Sequence, residues 1–341
     1  MAAGNDTACP GEAAAGIMTA VLFTIDTELS AGLHEAGVSA EENHARSITG
    51  TTPAGDFGIH WQMDQMEAHG VRGVYFVDPM PALVFGPGIV ERIVAPILAR
   101  GHEVQIHIHT EWLQWARQSP VHGRTGRNIG DFTLEDQVVL IDWARRALIA
   151  AGAPPPNAFR AGNFGANDDT LRALAELGIA WDSSYNPAYA QLGCRIGAAP
   201  AMVDPAELHG VQEVPVAGLW DRPGRFRPAQ ICAVSATEMR QALRHAADTG
   251  AHSFSLVTHS FEMLSRDRRR PNRTVMSRLI ATCRAIGADP RLTSSGFHAL
   301  QPPTECREGQ SRLGPNGLRT ALRMARQAVS TVLYERRLKP I

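Results

Sequence analysis

Among 341 residues the chain has a single lysine, Lys339, and its formal net charge is only −1. With no global positive field to neutralise phosphates, nucleic acid is excluded as the main partner. The preference for arginine is read as genome composition and carries no mechanism. Cysteine is sparse as well. Cys9, Cys194, Cys232, Cys283 and Cys306 are scattered, odd in number and form no CxxC pair, so neither a zinc knuckle nor a disulfide framework is expected and the thiols are read as reduced. No apolar run approaches the ~18 residues of a spanning helix. The first residues carry Asp6 and Glu12 and lack the basic and apolar regions of a secretory leader, from which a cytoplasmic location is expected. Residues 1–17 read as a flexible extension. Neither a GxGxxG nor a P-loop is present, and no internal repeat is found.

What is present is an ordinary globular balance, 44% hydrophobic and 20% charged, with ample material for a core. Its most informative stretch is VLFTIDTE, residues 21–28. Four apolar, β-favouring residues run directly into Asp26 and Glu28, as in a buried parallel strand that ends in a site. Further strands are expected at 71–79, 102–109, 157–162, 179–185, 211–218 and 252–261, with helices at 59–68, 89–99, 133–152, 168–177, 235–248 and 273–286. Glycines stop several of these helices, and Ser235 with Glu238 forms a capping-box pattern. Strand and helix alternating in this way indicate parallel βα units, and without a nucleotide fingerprint they favour a closed barrel.

Beyond residue 300 the sequence changes character. Leu318, Leu322, Ala325, Val329, Val332 and Leu333 form an apolar stripe, while Arg319, Arg323, Arg326, Arg336, Arg337 and Lys339 make the segment basic. A linker and a C-terminal helix packed on the barrel are expected over 301–341, with weak membrane-surface contact as the alternative.

The strand ends collect polar groups: Asp26 and Glu28; His107, His109 and Glu111; Arg160; and His259. Residues two apart in a strand face the same way, so Asp26 shares a face with Glu28, and His107 with His109. One carboxylate and two further ligands leave a hydrolytic metal site an open position. Equally, the histidines fit a satisfied core and Arg160 a structural ion pair. Trp61, Trp112, Trp115, Trp181 and Trp220 suit sugar stacking at a rim or burial in a core. The segment DRPGRFR, 221–227, offers positive charge to the mouth.

Taken together, residues 18–300 resemble the polysaccharide deacetylases (nodulation-deacetylase homology, carbohydrate esterase family 4). The family's TFDD motif is similar to Thr24-Ile25-Asp26-Thr27-Glu28. Its paired-histidine motif after a GHE strand start is matched by Gly101-His102-Glu103 leading to His107 and, four residues on, Glu111. Phe159-Arg160-Ala161-Gly162, Trp181-Asp182-Ser183-Ser184-Tyr185 and Leu256-Val257-Thr258-His259 match the remaining three in order. The resemblance implies an irregular (β/α)7 barrel, here with an added C-terminal helix, and a divalent metal at its mouth, usually Zn2+. It implies Asp26 as the base, His107 as a metal ligand, Arg160 and Asp182 as groups that orient and tune base and acid, and His259 as the acid. Thr27 replaces a family metal ligand, which Glu28 is expected to restore, and His109 or Glu111 must replace the second histidine. The activity implied is hydrolysis of an N-acyl group, N-acetyl foremost, on an amino sugar or glycan precursor. The alternatives are a related C–N hydrolase, such as a deformylase or a metal-independent cyclic amidase, and a glycan-binding barrel without turnover.

Overall fold

The computed structural model describes residues 18–190, 192–198, 202–303 and 311–335. The expected extension at 1–17, part of the linker, Cys9, Cys306, Arg336, Arg337 and Lys339 lie outside the described residues. Among the described residues Cys194, Cys232 and Cys283 are thiols.

The apolar runs form strands β1 (Thr19–Thr27), β2 (Gly73–Val77), β3 (Glu103–Ile108), β4 (Ala158–Ala161), β5 (Trp181–Asp182), β6 (Ala206–Leu208), β7 (Val211–Glu213), β8 (Ser253–His259) and β9 (Leu292–Ser294). They build one curled sheet in the order β8-β1-β2-β3-β4-β5-β7-β6, with β9 also paired to β1. All pairings are parallel except that of β6 with β7. The ring is completed irregularly by the chain that follows β7. Val214 N–H donates to the Asp182 carbonyl at 2.7 Å, Val216 N–H to Tyr185 at 2.9 Å, and Ala217 N–H to Ser255 on β8 at 2.9 Å. Seven parallel positions therefore surround the axis, as in the expected (β/α)7 barrel.

Helices α1 (Ile59–Glu67), α2 (Gly88–Ala99), α3 (Leu134–Ala150), α4 (Asp168–Glu176), α5 (Ala236–Asp248) and α6 (Arg273–Ala288) connect the strands. Strand periodicity divides the core in two. Val21, Phe23 and Ile25 join the large cluster under the helices, while Leu22 meets Val74, Phe76, Trp181 and Phe297 in a smaller cluster. On the Leu22 face of β1, Thr24 and Asp26 follow towards the carboxyl end. That face thus turns from apolar to polar as it nears the mouth.

The indole rings are divided by the same packing. Trp112 and Trp181 are fully or nearly fully buried, and Trp61 and Trp115 pack against the main core, so the core reading holds for these four. Trp220 lies in the hairpin formed by Gly218–Arg222 and Arg225–Pro228.

The C-terminal helix α7 (Gly317–Ser330) does pack on the barrel, but with the face opposite to its apolar stripe. Arg319, Thr320, Arg323 and Ser330 are buried, whereas Leu318, Leu322 and Val329 are 72%, 56% and 60% exposed. Arg323 donates to Asp221 at 2.7 Å and to Glu238 at 3.1 Å, and Thr320 Oγ1 donates to Asp221 at 2.9 Å. Arg227 donates to the same Asp221 at 3.0 Å. The DRPGRFR segment therefore anchors α7 through Asp221.

Candidate active site

At the carboxyl end of β1, Asp26 is buried and held by Arg160 from β4. The guanidinium donates to Asp26 Oδ1 at 2.8 Å, to Thr24 Oγ1 at 2.7 Å and to the Ser183 carbonyl at 3.0 Å, and it lies over the Phe76 ring at 4.4 Å. Burial alone would raise the Asp26 pKa, but the charge of Arg160, supported by His107 and His259, holds it below the ordinary aspartate range. Asp26 is thus kept ionised although it is almost fully buried.

Beside it, Glu28, His107 and His109 bring one ligand atom each to within 4.8 Å of one another. His107 Nδ1–H donates to the Arg160 carbonyl at 2.7 Å, which leaves Nε2 turned to Glu28 Oε2 at 3.2 Å. His109 Nε2 pairs with the same carboxylate oxygen, and its Nδ1 pairs with Glu111 Oε2 at 3.2 Å. Of the two residues expected to stand in for the second histidine, His109 belongs to the converging set and Glu111 lies behind it. Glu111 orients His109 and also accepts from Asn163 Nδ2 at 2.8 Å. Burial raises the Glu28 pKa, yet His109 and His107 more than offset this and hold it well below the usual value.

Close approach at this corner depends on Gly162. A Cβ there would lie 2.6 Å from the Ile108 carbonyl oxygen and 2.8 Å from the His109 ring. The next two residues, Asn163 and Phe164, have φ of 56° and 53°, a left-handed pair that is costly for non-glycine residues. Both line the mouth.

From β8, His259 places Nε2 at 3.9 Å from Asp26 Oδ2. Its Nδ1–H donates to Glu262 at 2.8 Å. The carboxylate against this imidazole is thus Glu262 and not Asp182. Glu262 also accepts from Thr258 Oγ1 at 2.9 Å and from Gln230. Burial lowers the His259 pKa, but Glu262 and then Asp26 bring it to about 9, so the ring carries its proton at neutral pH. Asp182 instead accepts from Ser184 and shares the interior with Glu213, whose carboxyl is pushed well above its usual value by burial and by the charge of Asp182.

Asp26, Glu28, His107, His109 and His259 line one cavity of about 370 Å³, with Asn163, Phe164, Tyr189 and Gln230 on its walls. None of the five tryptophans noted in the sequence lines it. Two acidic groups were not singled out by sequence. Glu262 lies three residues past His259, the spacing that brings a side chain back along a turn. Asp78 follows β2 as Asp26 follows its apolar run, and its Oδ1 accepts from Met80 N at 3.0 Å. Burial raises Asp78 to about 7.

No family model and no curated protein matches this chain. Solved structures do. A Mycobacterium smegmatis protein assigned as a polysaccharide deacetylase aligns with a TM-score of 0.55 at 15% identity, covering 89% of this chain and 99% of its own. A 4-alpha-glucanotransferase from Thermococcus litoralis aligns with a TM-score of 0.50 at 12% identity, covering 87% of this chain and 41% of its own. A family 4 carbohydrate esterase from Streptomyces lividans, solved with acetate, aligns with a TM-score of 0.40 at 12% identity, over 87% and 98% respectively. The first of these likenesses spans almost the whole of both chains. It shows a barrel fold of the polysaccharide deacetylase type.

Proposed function

We propose that the chain is a metal-dependent hydrolase that removes an N-acyl group, N-acetyl foremost, from an amino sugar or glycan precursor. One observation carries this reading. An ionised carboxylate, a protonated imidazole and a Glu/His/His donor set converge on a single cavity at the carboxyl ends of the strands. The donors suit a divalent ion. Two imidazoles and a carboxylate are the ligands of hydrolytic zinc sites, and the bond from His107 Nδ1–H to a carbonyl fixes the tautomer that frees Nε2. Glu28, His107 and His109 would hold the ion, with Glu111 orienting His109. Such an ion supplies Lewis acidity for an amide carbonyl and lowers the pKa of water.

The chain's own groups supply the proton transfers. Asp26, kept ionised by Arg160, accepts the proton of the attacking water, and His259 gives its proton to the departing nitrogen as the C–N bond breaks. Glu262 stabilises the charged form of His259, which regains its proton for the next turnover from the protonated Asp26, 3.9 Å away, through solvent in the cavity. Asp182 tunes the site only through Arg160, whose charge it feels. Phe164 and Tyr189 offer apolar surface for a pyranose face.

The test is acetate release by the zinc-loaded full chain from a panel of N-acetylated oligosaccharides, sugar nucleotides and lipid-linked sugars. Release is expected from at least one member and is lost in Asp26→Asn. A loaded protein that binds zinc through Glu28 and His107 yet frees no acyl group from the panel overturns the substrate class. A protein that releases acetate equally well without bound metal overturns the metal dependence.

A further inference from the structure

Helix α7 and the short turn after it carry large apolar side chains on the side away from the barrel. Leu318, Leu322, Val329, Val332 and Leu333 are all more than half exposed. Ordinary amphipathic helices bury such a stripe. Here the barrel takes the polar face instead, because Asp221 and Glu238 bind Arg323, and Gln241 and the Gly314 carbonyl bind Arg319. The stripe is thus held outward by buried ion pairs.

Its surroundings are basic. The helix has no acidic residue, and Arg326 is exposed beside the stripe. At its far end the chain meets the loop after β8. Arg266 N–H donates to the Tyr334 carbonyl at 3.0 Å and Arg270 to the Leu333 carbonyl at 3.3 Å. Arg266, Arg269, Arg270 and Arg273 are exposed on this segment, with Asp267 among them. Among the described residues no helix is long and apolar enough to cross a membrane.

We infer that the outward stripe of α7, with its arginine border, docks on an anionic lipid bilayer surface. Apolar side chains entering the acyl boundary and arginines meeting headgroup phosphates are the two contributions that hold interfacial helices. A second copy of the chain fits less well, since it would bring the same arginine border against this one. The loop that receives the helix end follows His259, so a docked helix sets the cavity mouth beside the lipid surface. The inference rests on the helix and its border, and it stands whether or not the cavity hydrolyses amides.

The full chain is mixed with vesicles of phosphatidylcholine alone and of equimolar phosphatidylcholine and phosphatidylglycerol, and bound protein is measured by flotation. Binding to the anionic vesicles is expected to exceed that to the neutral ones and to fall with salt. Leu322→Glu with Val329→Glu, at exposed positions that leave the Asp221 anchor intact, is expected to reduce it by about tenfold or more. Light scattering and thermal melting of the same variant report assembly and folding. No binding of the wild type to anionic vesicles, or equal binding by the well-folded double variant, overturns the inference. So does a wild-type dimer that the two substitutions dissociate while vesicles remain unbound.

Discussion

His259 is a proton donor at neutral pH because Glu262 lies against its Nδ1. Desolvation works the other way, and the 2.8 Å charge-assisted bond exceeds it. The alkaline limb of the pH–rate profile is therefore expected near pH 9, where the ring loses its proton. Glu262→Gln keeps the shape and removes the charge, so the limb should move down towards the ordinary histidine range. A limb that stays in place in this variant assigns the acid role elsewhere. The stability contribution has the matching sign: it is complete below the ordinary histidine value of 6.5 and is lost as pH rises through about 9. Removal of the groups themselves is more severe. Asp26→Asn and His259→Ala are each expected to lower turnover by about two to four orders of magnitude with melting curves close to wild type, and near-native rates in both would remove them from the chemistry. Asp26 and His259, the proposed base and acid, stood out in the sequence because each ends an apolar run. The sequence did not show which carboxylate served His259, since Asp182 and Glu262 both stand near strand ends and only the turn after β8 decides between them.

At the scale of elements, α7 shows how charge can override an apolar pattern. Asp221 is 3% exposed and receives Arg227, Thr320 and Arg323. Burial raises its pKa, and these three donors bring it down to about 2. Asp221→Ala leaves Arg323 with Glu238 alone and is expected to cost about 3 kcal/mol, the scale for breaking a buried pair. The readout is early proteolytic release of the C-terminal helix. An unchanged cleavage pattern would mean that other contacts hold it. Because the folded pKa is depressed, the anchor acts fully above the ordinary aspartate value of 3.8 and weakens as pH falls through about 2. Periodicity made the stripe legible but not its direction, which depends on Asp221 and Glu238, 102 and 85 positions from Arg323. The capping boxes and glycine stops were legible because they are local. β5 is shorter than its apolar run suggests: the Ser183 carbonyl accepts from Arg160 and Tyr185 N–H donates to Glu213 Oε1, so side chains take over from the ladder there. β9 has only three residues and no apolar run to announce it.

For the whole molecule, the site exists only when the ring is closed. Glu28 and His107 are 79 positions apart in the chain and share a hydrogen bond in the fold, so an ion that needs both binds the folded state and scarcely the unfolded one. Mass action then converts affinity into stability: free zinc at a hundredfold excess over its Kd adds about 2.7 kcal/mol. In a chain of this size that corresponds to a rise in Tm of about 4 °C. The same rise should be absent in Glu28→Ala and His107→Ala, whose ligand atoms belong to the converging set. Asp26→Asn is the discriminating variant. Asp26 bonds to Arg160 and lies outside that set, so its amide should keep the zinc-dependent rise while turnover is lost. If the rise disappears as well, Asp26 binds the ion and the base must be sought among the other acids next to the site, Asp78 first, because it is buried behind His109 and burial raises its pKa to about 7.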